Sequence, residues 1–280
     1  MMAVKVGILS MQRKKIELEE LKSIELDMVV WLDKVCRENN LRYFLTGGSL
    51  LGAIRHKGFI PWDDDIDIGM PREDFYKFRN IVNSNNSYYR VAFYDTDKDY
   101  GYSIPKLLDT RTTLIDYKLG KGQETLSVFV DIFIFDGMGQ RKSIAFVWYW
   151  FLKILKRSVY LSRRNFKMES GLKTIIFALP WMICKVIGTG HLNSCFNRLA
   201  GLKKFNNCQF VATASGVYGK REIFSKDVFK DLTEVEFEGI PLYAPTGYSD
   251  YLASLYGDYM KLPPKDKQIS NHMSDEWWNG

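Results

Sequence analysis

Pro61-Trp62-Asp63-Asp64-Asp65-Ile66-Asp67-Ile68-Gly69-Met70 sets four carboxylates in five positions and then becomes apolar at every second residue. Side chains alternate faces along a strand, so the spacing predicts a strand over 65–70 with Asp65 and Asp67 on one face. Ile66, Ile68 and Met70 then point the other way, into a core. Two like charges on one face repel, and a divalent cation with a preference for oxygen ligands relieves the repulsion most simply, which means Mg2+ or Mn2+. A calcium loop of the EF-hand type is excluded. Counted from Asp63, its sixth position holds Ile68 in place of the required Gly and its twelfth holds Asp74 in place of Glu.

Upstream, Leu41-Arg42-Tyr43-Phe44-Leu45-Thr46 is a short β-rich run that stops at Gly47-Gly48-Ser49, and Leu50-Leu51-Gly52-Ala53-Ile54-Arg55 resumes with helical composition. Strand, tight turn and helix in that order bring free backbone amides to a ligand, so Gly47, Gly48 and Ser49 are suited to holding phosphate. Downstream, Asp131 interrupts the apolar run Ser127-Val128-Phe129-Val130-Asp131-Ile132-Phe133-Ile134-Phe135. Burying such a charge unpaired is costly, so Asp131 requires a metal, a cation or an open cleft. Asp136 closes the same run and is expected to cap the turn at Gly137.

Gly-Gly-Ser, then Asp-Ile-Asp, then one Asp on a later strand resembles the nucleotidyltransferase superfamily. The longer string Gly47-Gly48-Ser49-Leu50-Leu51-Gly52-Ala53-Ile54-Arg55-His56 with Ile60-Pro61-Trp62-Asp63-Asp64-Asp65-Ile66-Asp67 is similar to the LicD family, which also includes the fukutin-type transferases. A second family-like segment runs from Tyr251-Leu252 through Tyr256-Gly257-Asp258-Tyr259-Met260 to Leu262-Pro263-Pro264. The resemblance implies a phosphotransferase that moves an alcohol phosphate from a CDP-linked donor to a sugar hydroxyl of a cell-surface glycan such as lipopolysaccharide, teichoic acid or capsule. Phosphocholine from CDP-choline is the expected cargo, with ribitol phosphate or glycerol phosphate as the alternatives. It further implies Asp65, Asp67 and Asp131 as catalytic metal ligands, with Asp131 as a candidate proton acceptor, and Gly47, Gly48 and Ser49 on the donor phosphates. Arg55, His56, Lys106 and His272 are the candidate cations for those phosphates. Two other readings stay open: a true nucleotidyltransferase using the same carboxylates, and a noncatalytic glycan- or lipid-binding module.

The expected fold class is α+β. A nucleotidyltransferase-like mixed sheet, with strands at 42–46, 65–70, 89–94, 102–108 and 127–135, would be flanked by a helix carrying Leu21, Ile24, Met28, Leu32 and Val35 and another beginning near Pro71. One LicD-type domain over 1–280 is expected, with its core at about 20–140 and a helical insertion at about 141–205. A C-terminal segment at about 206–280 would pack on the core, with a turn at Glu236–Leu242 and a last helix at Tyr248–Tyr256.

The 280 residues suffice for a substantial core. The start, Met1–Ser10, has too short an apolar core for a signal peptide and runs into Arg13-Lys14-Lys15, so a cytoplasmic location is expected. The four cysteines form no close CxxC pair and are expected as reduced, buried thiols. The net charge of +6 is concentrated: between Arg141 and Ile175 nine basic residues face the single acid Glu169. The aromatic-apolar runs Ile144–Leu152 and Ile175–Ile183 share that region. Each is broken by Lys or Arg before the roughly 20 apolar residues a span needs. A peripheral contact of 141–185 with the inner face of a membrane is expected, with a glycan or lipid-linked glycan as acceptor. No nucleic acid is expected, because the aromatics do not interleave with the cations.

Overall fold

Leu21, Ile24, Met28, Leu32 and Val35 all lie buried along one side of α1 (Leu18–Glu38), at the 3-4 spacing that gives a helix one apolar stripe. The computed structural model describes residues 14–97, 100, 102–116, 125–163, 172–269 and 274–279. After α1 come β1 (Phe44–Leu45), α2 (Gly47–His56), β2 (Asp67–Pro71), α3 (Arg72–Ser84), β3 (Tyr89–Ala92), β4 (Lys106–Asp116) and β5 (Thr125–Gly139). Three helices follow, α4 (Lys142–Arg163), α5 (Leu172–Ile187) and α6 (Thr189–Ala200). The chain ends with β6 (Phe210–Ala212), β7 (Phe224–Ser225), β8 (Leu232–Phe237), β9 (Ile240–Pro245), α7 (Tyr248–Tyr256) and β10 (Ser274–Trp278).

The class is α+β, as expected. Among the described residues an eight-stranded sheet runs β1-β2-β5-β4-β10, with β3 also on β4, β6 on the far end of β5, and β7 on β6. β2 and β5 are parallel and the other pairs antiparallel. The main core joins α1, α2 and α3 to this sheet and to the β8–β9 hairpin and α7. In that hairpin Glu238 and Gly239 have φ of 51° and 77°, the left-handed pair that a two-residue turn demands.

Several boundaries differ from the sequence reading. β2 begins at Asp67, so Asp65 sits in the extended segment ahead of the ladder. The strand expected at 102–108 begins at Lys106, because Pro105 has no amide hydrogen to donate, and it continues to Asp116. β5 outruns its expected end at 135 because its last residues leave β2 and β4 to pair with β6. Helices α4 and α6 gather a second, smaller core of Met138, Ala145, Tyr149, Leu152, Leu192, Phe196 and Ala200 against the end of β5. Cys36, Cys184 and Cys208 are buried free thiols, whereas Cys195, expected buried, is exposed.

Asp136 does not cap a turn. Its two carboxylate oxygens accept Nε and Nη2 of Arg72 at 2.6 and 2.7 Å, a two-pronged pair with both side chains buried. Arg72 opens α3 directly after β2, so this pair fixes α3 to the point where β5 turns toward β6. Removing one partner strands a buried charge. Asp136→Ala is expected to lower the unfolding free energy by about 3–5 kcal/mol in urea titration, while a paired Arg72→Met/Asp136→Leu variant recovers most of the loss.

Candidate functional site

The parallel register places Asp67 directly beside Asp131, and the antiparallel register on the other side of β5 places Lys106 against Asp131. Lys106 Nζ donates to Asp131 Oδ1 at 2.5 Å, and the ammonium lies over the Phe129 ring. Asp131 thereby finds its compensating cation inside the protein. Lys106, expected on donor phosphate, is 5% exposed and committed to this pair.

Asp63, Asp65 and Asp67 line the floor of a cavity of about 900 Å³, together with Thr46, Gly47 and Gly48 from the opening of α2. The turn is built against the carboxylates. Gly47 has φ +54°, and a Cβ there would come within 2.6 Å of Asp67 Oδ2; a Cβ on Gly48 would come within 2.9 Å of Asp63 Oδ2. Only glycine permits both the backbone conformation and this approach. The first turn of a helix carries N–H groups without helical partners, so α2 presents them next to the acids.

Ser49 is buried and does not face the cavity as expected. Its Oγ accepts the Asp67 N–H at 2.7 Å and donates to the Asp65 carbonyl at 3.4 Å, tying the acidic segment to α2. Thr46 and Tyr251 share a hydrogen bond between hydroxyls at 2.5 Å, and the Gly47 N–H donates to the same phenol at 3.3 Å. Arg55 lines the cavity and donates through Nη1 to the Tyr259 carbonyl at 3.1 Å and through Nε to His56 Nε2 at 2.9 Å. Burial first, then Arg55, pushes the His56 pKa down, and His56 Nε2 accepts from Arg55 in this structure. His272 lies outside the described residues.

Electrostatically the floor is under-compensated. Burial, then Asp63 and Asp131, raise the Asp65 carboxyl to about 7, and burial, then Asp65 and Asp131, push Asp67 well above the usual range. Beneath them Glu25, the one acid on the buried side of α1, is also pushed up by burial and then by Asp65. The donor set suits a hard cation. Among the described residues no three acidic, His or Cys side chains converge as a finished metal cage, since Asp131 is drawn onto Lys106. Two carboxylates with room for substrate phosphate oxygens are nevertheless what Mg2+ ordinarily uses.

The opposite wall was not legible from the sequence. Lys156 from α4 lines the cavity and donates to the Ser215 carbonyl, and Lys153 donates to the Gly216 carbonyl at 2.6 Å. Both face Glu222, raised to about 7 chiefly by burial. Thr213 adds a buried hydroxyl without a hydrogen-bond partner among the described residues. Tyr218, Tyr251, Tyr256 and Tyr259 complete an aromatic side. Of these new residues, Tyr251, Tyr256 and Tyr259 fall in the second family-like segment, which was the available signal.

Comparison with known proteins finds relatives of this chain. A family profile described as LicD/FKTN/FKRP, nucleotidyltransferase domain, matches residues 40–167. The chain is 30% identical over 275 residues to the lipopolysaccharide cholinephosphotransferase LicD of Haemophilus influenzae, covering 94% of this chain and 99% of that one. It is 62% identical over 34 residues to the ribitol 5-phosphate transferase FKRP of human and of mouse, 12% of this chain and 7% of theirs.

The pKa shifts set a pH dependence. A carboxylate whose folded pKa lies above its unfolded value of about 4 keeps its proton longer in the native state, so folding is favoured below that range and stability falls as pH rises toward 7. Without divalent cations the melting temperature is expected to drop between about pH 4 and 7. Asp67→Asn should blunt that drop, and Mn2+ should raise the melting temperature of the unsubstituted protein at pH 7.5 but not that of the variant.

Proposed function

Because the chain belongs to the LicD family of nucleotidyltransferase-fold phosphotransferases, we propose that it transfers phosphocholine from CDP-choline to a sugar hydroxyl of a cell-surface glycan. The observation that carries the reading is the carboxylate floor of Asp65 and Asp67 set against the opening turn of α2 within one cavity. Similarity to LicD along nearly the whole chain favours choline as the cargo, whereas similarity to the ribitol 5-phosphate transferase is confined to a short segment.

Asp65 and Asp67 would hold Mg2+ or Mn2+, with Asp131 on the adjacent strand supporting them. When bound, the ion neutralises the donor diphosphate and the departing CMP. The Gly47 and Gly48 end of α2 and the Arg55 guanidinium orient the phosphates, leaving the choline-bearing phosphorus in line with the acceptor oxygen. A bond forms from that oxygen to the phosphorus, the bond to the CMP oxygen breaks with its electron pair leaving on CMP, and the hydroxyl proton passes to Asp131 or to solvent.

The same reading places the enzyme at an anionic membrane surface. Ile144, Val147, Phe151 and Ile154 form an exposed apolar stripe on α4, and Leu179, Met182, Ile183 and Val186 another on α5. Val186 is 83% exposed and Val147 69%. The described helices are not long and apolar enough to cross a membrane. Lys142, Arg157 and Lys185 on these helices supply the attraction to anionic headgroups, so a lipid-linked acceptor is the reading's natural partner.

CMP release from CDP-choline with Mn2+ and a glycan extract is expected, falling by on the order of 100-fold or more in Asp65→Asn and Asp67→Asn. Asp131→Asn separates two roles: loss of kcat indicates a catalytic group, near-normal kcat a positioning one. Pyrophosphate released from CTP, with no CMP released from CDP-choline, would turn the reading to a nucleotidyltransferase. In a second measurement the protein should co-sediment with anionic liposomes at low salt and release at high salt. Val147→Glu/Ile154→Glu should abolish sedimentation while leaving CMP release with a soluble acceptor intact.

A further inference from the structure

The cavity has two chemically different sides. The acidic floor and the α2 turn suit metal and phosphate, while Tyr218 and Tyr256 line the same cavity with rings 5.2 Å apart and inclined at 74°. The pair is held there by the chain on both sides. Arg221 Nη1 donates to the Leu255 carbonyl at 3.2 Å and Ser254 Oγ donates to the Arg221 carbonyl at 2.8 Å, which fixes the loop carrying Tyr218 to α7 carrying Tyr256. The loop folds around Glu222, which accepts the Tyr218 N–H at 2.6 Å and occupies the space a side chain at Gly216 would need. Tyr251, one turn and a half earlier on α7, is the residue bonded to Thr46 and Gly47, so a single helix sets the tyrosine pair relative to the phosphate turn.

We propose that Tyr218 and Tyr256 form the subsite that reads the quaternary ammonium of the donor, a deepening that rests on the choline reading above. Two perpendicular rings present a face and an edge to one volume, and a trimethylammonium group gains from the face through the ring quadrupole. Such a cation is weakly hydrated and cannot donate hydrogen bonds, so it loses little on entering an aromatic wall. Asp258 lies on the same lining, as do the cations Arg55, Lys156 and Lys261, so the rings rather than net charge carry the recognition. Val217, Leu255, Leu262 and Pro263 complete that wall. A polyol placed there would leave hydroxyls without partners, which is a penalty a cation does not incur.

The test compares CDP-choline with its neutral isostere, CDP-3,3-dimethylbutanol, in which carbon replaces nitrogen and shape is kept. CMP release with Mn2+ is measured for both, with CDP-ribitol alongside. The expected result is a kcat/KM preference for the charged donor of about tenfold. Tyr218→Leu and Tyr256→Leu should bring it toward unity by weakening CDP-choline alone, and Tyr218→Phe should keep it. Tyr218 is 39% exposed, so its truncation removes no core packing. Equal use of the two isosteres by the unsubstituted enzyme, or an equal loss for both donors in Tyr218→Leu, overturns the ammonium subsite while leaving the transferase standing. Release from CDP-ribitol and from neither isostere overturns the choline reading together with the subsite. Release from none of the three, with acceptor present, overturns the transferase and everything built on it.

Discussion

Asp67 and Asp131 lie side by side across a parallel pair of strands, with Lys106 opposite Asp131 on the next strand. Much of the molecule follows from having to hold these charges there. One ammonium compensates one carboxylate, and the acids that remain, Asp63, Asp65 and Asp67, accumulate negative potential at a half-enclosed floor. A folded chain tolerates this because the sheet behind is apolar and rigid: Ile66, Ile68, Met70, Val130 and Ile132 are fully buried. Ser49 and the two glycines then hold the backbone of α2 against the acids, a contact with no room for side chains. The arrangement stores unfavourable electrostatics that a bound divalent cation would relieve, an exchange of stability for function.

The acidic run, the glycine turn and the lone Asp131 were legible because each announces itself locally, by charge density, by backbone freedom, or by a charge set in an apolar run. α1, the β8–β9 turn and α7 were legible from periodicity and turn chemistry for the same reason. Partnerships between distant residues were not. Nothing local marks Lys106 as the partner of Asp131, and a cation near a phosphate site reads as a phosphate ligand until the strand register is known. Asp136 read as a cap because Gly137 follows it, yet Arg72, sixty-four positions earlier, claims both its oxygens. Ser49 looked like a phosphate contact and is spent on the backbone of Asp65 and Asp67.

The helical segment from Lys142 carries no motif that marked the site in the sequence, yet it reaches the site. Lys153 and Lys156 come from α4, and their partners Ser215, Gly216 and Glu222 come from the loop that follows β6. One face of α4 thus builds a wall of the cavity while another carries the exposed apolar stripe, so the helix stands between the cavity and the surface proposed for lipid. An acceptor anchored in a bilayer and a soluble donor would approach the same carboxylates from different sides of that helix.

Tyr251 reaches back 205 residues to close the turn at Thr46 and Gly47. During synthesis the carboxylate floor is made well before α7, so the lock on the glycine turn arrives only once Tyr251, 205 residues after Thr46, has followed. A nascent fragment would therefore carry the complete acidic set with no fixed phosphate turn. Until α7 docks, the chain has the carboxylates of the site without the geometry that Tyr251 gives the glycine turn.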